Sequence, residues 1–387
     1  MSSAAKQVAV FGSTGSIGRN ALEVIAASSG ALAPIALSAC TQTALIEDQA
    51  ARVRPRWVVV SDAQAATTHA WNRLPAGCEL LTGSEGLEYV ARQPEVDIVL
   101  SAIVGSAGLR STWVALEAGK TVALANKETL VMGGPLVMSV AGRTGARILP
   151  VDSEHSAVFQ ALSAGRRSEV RRVVLTASGG PFRQHTLEQM EHVSVEEALA
   201  HPNWRMGPKI TVDSATMMNK ALEIIEARWL FDLEVDQIGV MVHPQSIIHS
   251  LVEFVDGSVV AQMGPPDMKL PIQYALCWPD RKVGVAEKLD WTQMMKLELS
   301  PPDLERFPAL GLGFDVARSG GTAGAVLNAA NEAAVAGFLA GELRFTEIVP
   351  TCRSVLEHHD FDSNPSLDRL IELDRWARLE VTRWACS

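Results

Sequence analysis

The chain has 387 residues, 47% of them hydrophobic and 20% charged, which is too much for one ordinary core and too apolar for disorder. Its 34 basic and 44 acidic residues leave a formal charge of −10, and no basic stripe marks a nucleic-acid face. The cysteines, Cys40, Cys78, Cys277, Cys352 and Cys386, are scattered without a CxxC pair, which argues against a disulfide framework or structural zinc and fits a reducing compartment.

In chain order, Val8 to Phe11 is a short apolar run that stops at glycine and reads as a buried strand. Asn20 to Ala27 reads as a helix, and Ala33 to Ala39 as a second strand. Trp57 to Val60, Ile98 to Leu100 and Thr121 to Leu124 are further strands, with helical stretches such as Leu109 to Ala118 between them. This alternation, up to about residue 150, predicts a parallel sheet covered on both faces. Beyond Val151 the texture changes. Val173 to Ala177 reads as a strand closed by the Ser178-Gly179-Gly180-Pro181 turn, and Met217 to Phe231 as a strong helix. Ile238 to Val242 and Ile247 to Val255 read as strands, the latter joined to Ser258–Met263 by an Asp256-Gly257 hairpin turn. A mixed sheet is expected there. Trp278 to Pro308 reads as a linker. Gly321 to Leu339, Thr346 to Glu357 and Ser366 to Trp384 have helical pattern, and His358-His359 is expected at the surface. Met1 to Gln7 shows no leader pattern, and no apolar run approaches the roughly 18 residues of a membrane span, so the expected location is cytoplasmic.

The first strand runs into Gly12-x-x-Gly15-x-x-Gly18 and then a helix. Glycines there let the backbone approach a pyrophosphate, and the helix N-terminus offers unpaired N–H groups. Taken alone, the spacing also suits a tight turn with no ligand. The second strand ends in Ser38-Ala39-Cys40-Thr41-Gln42, with no acid for the ribose hydroxyls of NAD and no Arg or Lys for a 2′-phosphate. The missing acid leans towards NADP.

Pro150-Val151-Asp152-Ser153-Glu154-His155 is the second feature. Were this stretch extended, Asp152 and Glu154 would share a face, where a hard divalent cation would relieve their repulsion. A solvated loop is the alternative. The helix following Asp213 or Ser214, either of which suits an N-cap, carries Asn219, Lys220, Glu223 and Glu226 as one polar stripe on an otherwise apolar cylinder. Such a stripe lines a pocket or forms a solvated face. Two more segments, His201-Pro202-Asn203-Trp204-Arg205-Met206-Gly207 and Asn126-Lys127-Glu128, have the composition of ligand-facing loops.

Together these segments closely resemble the 1-deoxy-D-xylulose 5-phosphate reductoisomerase family. The matching stretches are GSTGSIG (12–18), LANKE (124–128), LPVDSEH (149–155), SGGPF (178–182), HPNW-MG (201–207), VDSATMMNK (212–220), HPQS-IHS (243–250) and LNAANE (327–332). The resemblance implies an α/β chain with an N-terminal Rossmann-like parallel-sheet domain (1–150), a central α/β catalytic and dimerisation domain (151–277), a linker (278–303) and a C-terminal α-helical domain (304–387). It implies a homodimer acting on a sugar phosphate, with no nucleic-acid or membrane partner. The implied reaction isomerises 1-deoxy-D-xylulose 5-phosphate and reduces it with NADPH to 2-C-methyl-D-erythritol 4-phosphate.

By the same resemblance, Gly12, Thr14, Gly15, Ser16, Ile17, Thr41, Gln42, Asn126, Glu128 and Gly207 form the NADPH site. Asp152, Glu154 and Glu223 are the implied ligands of Mg²⁺ or Mn²⁺. Lys127, Ser153 and Glu154 are the implied contacts to the substrate backbone, and Ser178, His201, Ser214, Asn219 and Lys220 the implied phosphate pocket, with Glu223 beside it. Trp204 and Met206 belong to a closing flap. Lys127, Glu154 and His201 are the candidate catalytic residues. In the family a Gly-Lys-Asn-like segment commonly follows the second strand; here Cys40-Thr41-Gln42 lacks that lysine.

Overall fold

The computed structural model describes residues 4–385, so Cys386 lies outside it. The chain divides into two compact units. One comprises residues 1–129, 137–156 and 267–287, and the other 130–136, 157–266 and 288–387.

The first unit is built on seven strands: β1 (Lys6–Phe11), β2 (Leu32–Ala39), β3 (Trp57–Val60), β4 (Glu79–Thr82), β5 (Ile98–Ser101), β6 (Thr121–Leu124) and β7 (Arg147–Pro150). All pair in parallel, in the order β4-β3-β2-β1-β5-β6-β7. Strands β3 and β5 are buried along their whole length, as a sheet covered on both faces requires. The order reverses at β1, between β2 and β5. Ligands of such sheets bind outside the strands' carboxyl ends at that switch point, which here is Gly12.

The glycine turn is sterically obligatory. Gly12 has φ of +85°, and a Cβ there would lie 2.5 Å from the Ala102 carbonyl oxygen. A Cβ on Gly18 would lie 2.3 Å from the Gly12 carbonyl oxygen, so only glycine lets the Ser16–Ala26 helix pack this close to the turn. Gly18→Ala is therefore expected to lower the melting temperature and to weaken NADPH binding by more than about tenfold, roughly 1.4 kcal/mol. Scanning calorimetry and a nucleotide titration check this; unchanged affinity contradicts it.

The second unit holds β8 (Val170–Ala177), β9 (Ile238–Val242), β10 (Ile248–Phe254) and β11 (Val259–Met263) in the order β11-β10-β8-β9. Only β8 and β9 pair in parallel, so the sheet is mixed as expected. Val173, Leu175 and Val252 on one face are fully buried in a core with the Met218–Leu230 helix. The other face carries Val174, Met241 and Leu251, half-buried, and Val259 and Ala261, exposed.

A helical bundle completes the unit: Ala309–Ser319, Ala323–Ala340, Ile348–His358 and Leu367–Ala385. Ala323–Ala340 corrects the expectation that no apolar run reaches membrane-span length. It has 18 residues of sufficient hydropathy, and 72% of it is buried within the protein, as befits a core helix. His358 is exposed and His359 half-buried.

Candidate active site

The cofactor turn faces outward. Ser13 is fully buried, whereas Gly15 and Ser16 are exposed and Thr14 and Ile17 half-buried. The Ser16–Ala26 helix has Gly15 as its N-cap, no side-chain cap and no acid in its first turn, so its first amides remain available to an anion. Two residues outside the glycine motif fix the turn. The Ser38 hydroxyl accepts from the Gly12 N–H at 2.9 Å, and Gln49 clasps Ser13 through Oε1 (2.7 Å) and Nε2 (2.9 Å).

Cys40, Thr41 and Gln42 are exposed beyond β2. The next acids are committed elsewhere. Glu47 is buried, which pushes its carboxyl up, but the Arg73 N–H and His69 more than offset this and hold it below the usual range. Asp48 pairs with Arg73 at 2.5 Å. No Lys or Arg occurs between Arg19 and Arg52.

Asn126 is almost fully buried, and its side chain is spent on structure. Its amide nitrogen reaches the carbonyls of Ile103 and Gly105 and the Glu128 carboxylate, and its oxygen accepts from the Thr129 N–H and hydroxyl. It thus ties the end of β6 to the loop after β5. Lys127, next to it, is buried and pairs with Asp152.

Asp152 and Glu154 do not lie on a strand. The chain leaves β7 at Pro150 and enters the Ser153–Ala161 helix, with Asp152 as its cap. The Asp152 Oδ1 accepts from the Glu154 N–H (3.1 Å) and the His155 N–H (3.4 Å), and its carbonyl from the Ser156 N–H (2.8 Å). The short capping residue won over the extended reading, and the helix N-terminus now supports the local negative charge. The Ser153 hydroxyl donates to Glu154 Oε2 at 2.5 Å. His155, which the sequence reading passed over, is 1% exposed and offers a ring nitrogen within 4.8 Å of an Asp152 carboxylate oxygen.

In the second unit the helix expected over Met217–Phe231 runs Met218–Leu230, but the start expected at Asp213 or Ser214 falls in a separate helix. Pro208–Ala215 ends at a kink, and Met218–Leu230 begins after Met217, which has φ of +62°. Asp213 is therefore not an N-cap; it lies inside the first helix. The polar stripe is not a solvated face. Lys220 is 3% exposed and Glu223 fully buried, and the two form an ion pair. The Asn219 amide nitrogen donates to Glu223 Oε1 at 2.6 Å. A fully buried carboxylate is tolerated only with such compensation.

The SGG turn rests on the kink. A Cβ on Gly180 would lie 2.7 Å from the Ser214 carbonyl oxygen, so the SGG turn packs directly against the Ser214 backbone. His201 joins the turn: its Nε2 lies 3.0 Å from Ser178 Oγ, while Nδ1 accepts from the N–H groups of Trp204 (2.9 Å) and Asn203 (3.2 Å). With Nδ1 accepting, the neutral ring carries its proton on Nε2 and donates it to Ser178. The Gly180 N–H also donates to that hydroxyl, at 3.2 Å, which leaves the Ser178 proton free for an incoming oxyanion. Trp204 stacks at a tilt 6.4 Å from His249, and Met206 and Gly207 lead into the Pro208–Ala215 helix.

Burial pushes the His201 imidazole below its ordinary 6.5. The unfolded chain therefore takes the proton more readily, and this group costs stability only as the pH falls below 6.5. A proton on Nδ1 would also confront two N–H donors. In the free protein, ¹⁵N NMR is expected to show the neutral Nε2–H tautomer at pH 6.5, with protection of the Asn203 and Trp204 amides falling on acidification. A Nδ1-protonated ring at that pH contradicts it.

Three family models match the chain in sequence: 1-deoxy-D-xylulose 5-phosphate reductoisomerase over residues 8–134, its C-terminal domain over 148–231, and DXP reductoisomerase C-terminal domain over 263–380. The reductoisomerase of Rhodopirellula baltica is 49% identical, covering 98% of this chain and 95% of its own length. That of Heliobacterium modesticaldum is 51% identical over 97% of both. The chain belongs to the 1-deoxy-D-xylulose 5-phosphate reductoisomerase family. Among solved structures, the Zymomonas mobilis reductoisomerase in complex with NADPH superposes with a TM-score of 0.92 at 41% identity, covering 98% of this chain and 99% of that one. A DOX-P reductoisomerase in complex with NADPH, fosmidomycin and magnesium gives the same score and identity, with 98% of each chain covered. Membership in the reductoisomerase family assigns the metal-dependent isomerisation of 1-deoxy-D-xylulose 5-phosphate and its NADPH reduction to 2-C-methyl-D-erythritol 4-phosphate.

Proposed function

We propose that the residues expected from the sequence carry this reaction. The observation that carries the reading is the pair of buried lysine–carboxylate contacts, Lys127–Asp152 in one unit and Lys220–Glu223 in the other. Asp152, Glu154 and Glu223 hold one divalent cation, for which an all-carboxylate donor set suits Mg²⁺ or Mn²⁺. When bound, the cation polarises the substrate carbonyl and NADPH supplies the hydride. Lys127, Ser153 and Glu154 orient the sugar backbone, with Lys127 and Glu154 holding the transferred protons. Ser178, His201, Ser214, Asn219 and Lys220 bind the phosphate, whose binding energy closes the Trp204–Met206 flap and excludes water.

Gly12, Thr14, Gly15, Ser16 and Ile17 cradle the dinucleotide pyrophosphate, and Asn126, Glu128 and Gly207 border its nicotinamide end. Thr41 and Gln42 meet the 2′-phosphate as neutral donors. The domain spans 1–150, 151–277, 278–303 and 304–387 carry the cofactor, catalytic, linking and helical roles, and the enzyme works in the cytoplasm. The half-open sheet face around Val174, Leu251 and Ala261 makes the homodimer contact, since one face of such a sheet otherwise stays unburied. Sedimentation of Leu251→Lys as a monomer, against a wild-type dimer, supports that contact; an unchanged mass sinks it.

The test is steady-state NADPH oxidation with the sugar phosphate, with and without divalent cation, with NADH run beside it. Cation-dependent turnover faster with NADPH is the expected result. No turnover, or turnover indifferent to chelation, refutes the reading, and equal kcat/KM with NADH refutes NADP preference.

A further inference from the structure

Asp213 is 1% exposed inside the Pro208–Ala215 helix, where neither capping nor solvation explains it. Its neighbours Val212 and Ala215 belong to the apolar core together with Ala334, Val335 and Cys352 of the bundle. Burial first, and then the adjacent Asp213 carboxylate, push the Cys352 thiol up, which places this charge deep among apolar groups. Both carboxylate oxygens have partners. Oδ1 accepts from the amide nitrogen of Asn331 at 2.8 Å, and Oδ2 pairs with Lys209 at 2.9 Å.

Asn331 lies on the Ala323–Ala340 helix and is fully buried. Its own Oδ1 has no hydrogen-bond partner. Turning the amide over would set that oxygen against the carboxylate, so the orientation is forced. A leucine would remove the orphaned amide oxygen but would strip the buried Asp213 Oδ1 of its donor, so the asparagine is held in place by the carboxylate.

The clamp sits at the point where the phosphate pocket is assembled. Ser214 follows Asp213 directly, the Met217 kink comes three residues later, and the Gly180 backbone rests on the Ser214 carbonyl. Lys209 stands two residues beyond Gly207, the end of the flap segment.

We propose that Asn331 and Asp213 are positioning residues: the bundle's central helix, through this buried amide–carboxylate contact, holds Ser214 and the kink in register for the substrate phosphate. The inference rests on the phosphate-pocket reading above. Neither residue touches the substrate; both act through Ser214 and the SGG turn.

The test compares Asn331→Leu, Asn331→Asp and the exchanged pair Asp213→Asn/Asn331→Asp in the full chain. The measurements are KM, kcat, competitive inhibition by inorganic phosphate, and melting temperature. Asn331→Leu is expected to raise KM and the phosphate inhibition constant together by about tenfold, the value of one hydrogen bond to a charged group. Its kcat should stay within about threefold of wild type, and its melting temperature should fall, since the buried Asp213 Oδ1 loses its donor. Asn331→Asp, which opposes two carboxylates, should raise KM at least as much, and the exchanged pair should restore it. An Asn331→Leu variant with an unchanged KM and phosphate inhibition constant overturns the proposal, whatever its melting temperature. If Asn331→Leu does not fold, failure of the exchange to restore KM overturns it. Wild-type protein that phosphate does not inhibit competitively instead refutes the phosphate-pocket reading on which the inference rests.

Discussion

Asp152→Asn is expected to lower kcat/KM by about 10³-fold, the roughly 4 kcal/mol that a Lewis-acid cation supplies. The substitution removes a charge from the proposed metal site and the partner of the buried Lys127. It keeps the oxygen that caps the Ser153–Ala161 helix through the Glu154 and His155 amides, so the fold is retained. The loss should therefore appear as weaker cation affinity and slower turnover in a chain that still folds, with a lowered melting temperature from the weakened Lys127 pairing. Steady-state kinetics over a range of Mn²⁺ concentrations, with calorimetry beside them, check this. Near-normal turnover at limiting metal contradicts it.

Lys220→Met is expected to have the largest effect on stability. Lys220 and Glu223 are 3% and 0% exposed, and methionine fills the lysine stem while removing the charge. Glu223 is then left buried with Asn219 but without its cation, which costs about 3–5 kcal/mol. At roughly 2–4 °C per kcal/mol the melting temperature falls by about 10 °C. Mg²⁺ should recover part of that fall by supplying the missing positive charge, and KM for the sugar phosphate should rise. A drop below about 1 °C, a small fraction of that shift, contradicts the pairing.

Much of this was legible in the chain itself. Trp57–Val60, Thr121–Leu124 and Ile238–Val242 appear with the bounds their apolar runs suggest, because a buried strand needs an unbroken run. The Asn219–Lys220–Glu223 spacing marked one helix face but left a pocket and a solvated surface both open, and only the burial of Lys220 and Glu223 excludes the latter. β4 was not legible: Glu79-Leu80-Leu81-Thr82 is a four-residue edge strand with no distinguishing pattern. The Met217 kink was hidden because the apolar pattern runs through it, and a methionine at φ of +62° carries no turn signal. The Asp152 cap was misread because an acid followed by polar residues fits a strand end and a helix start equally well. Ser38 and Gln49 could not have been found. Their bonds to the glycine turn span 26 and 36 residues, and only the folded sheet brings them together.

A manganese(II) titration, followed by the spectrum of the free ion, tests most directly the proposed cation site of Asp152, Glu154 and Glu223. One tight site per chain is expected. Glu223→Gln and Asp152→Asn should each weaken it by more than about tenfold, since even the outer partners of a metal site are worth about 10–100-fold. Wild-type affinity in Glu223→Gln, or two independent sites per chain, would contradict a shared ion.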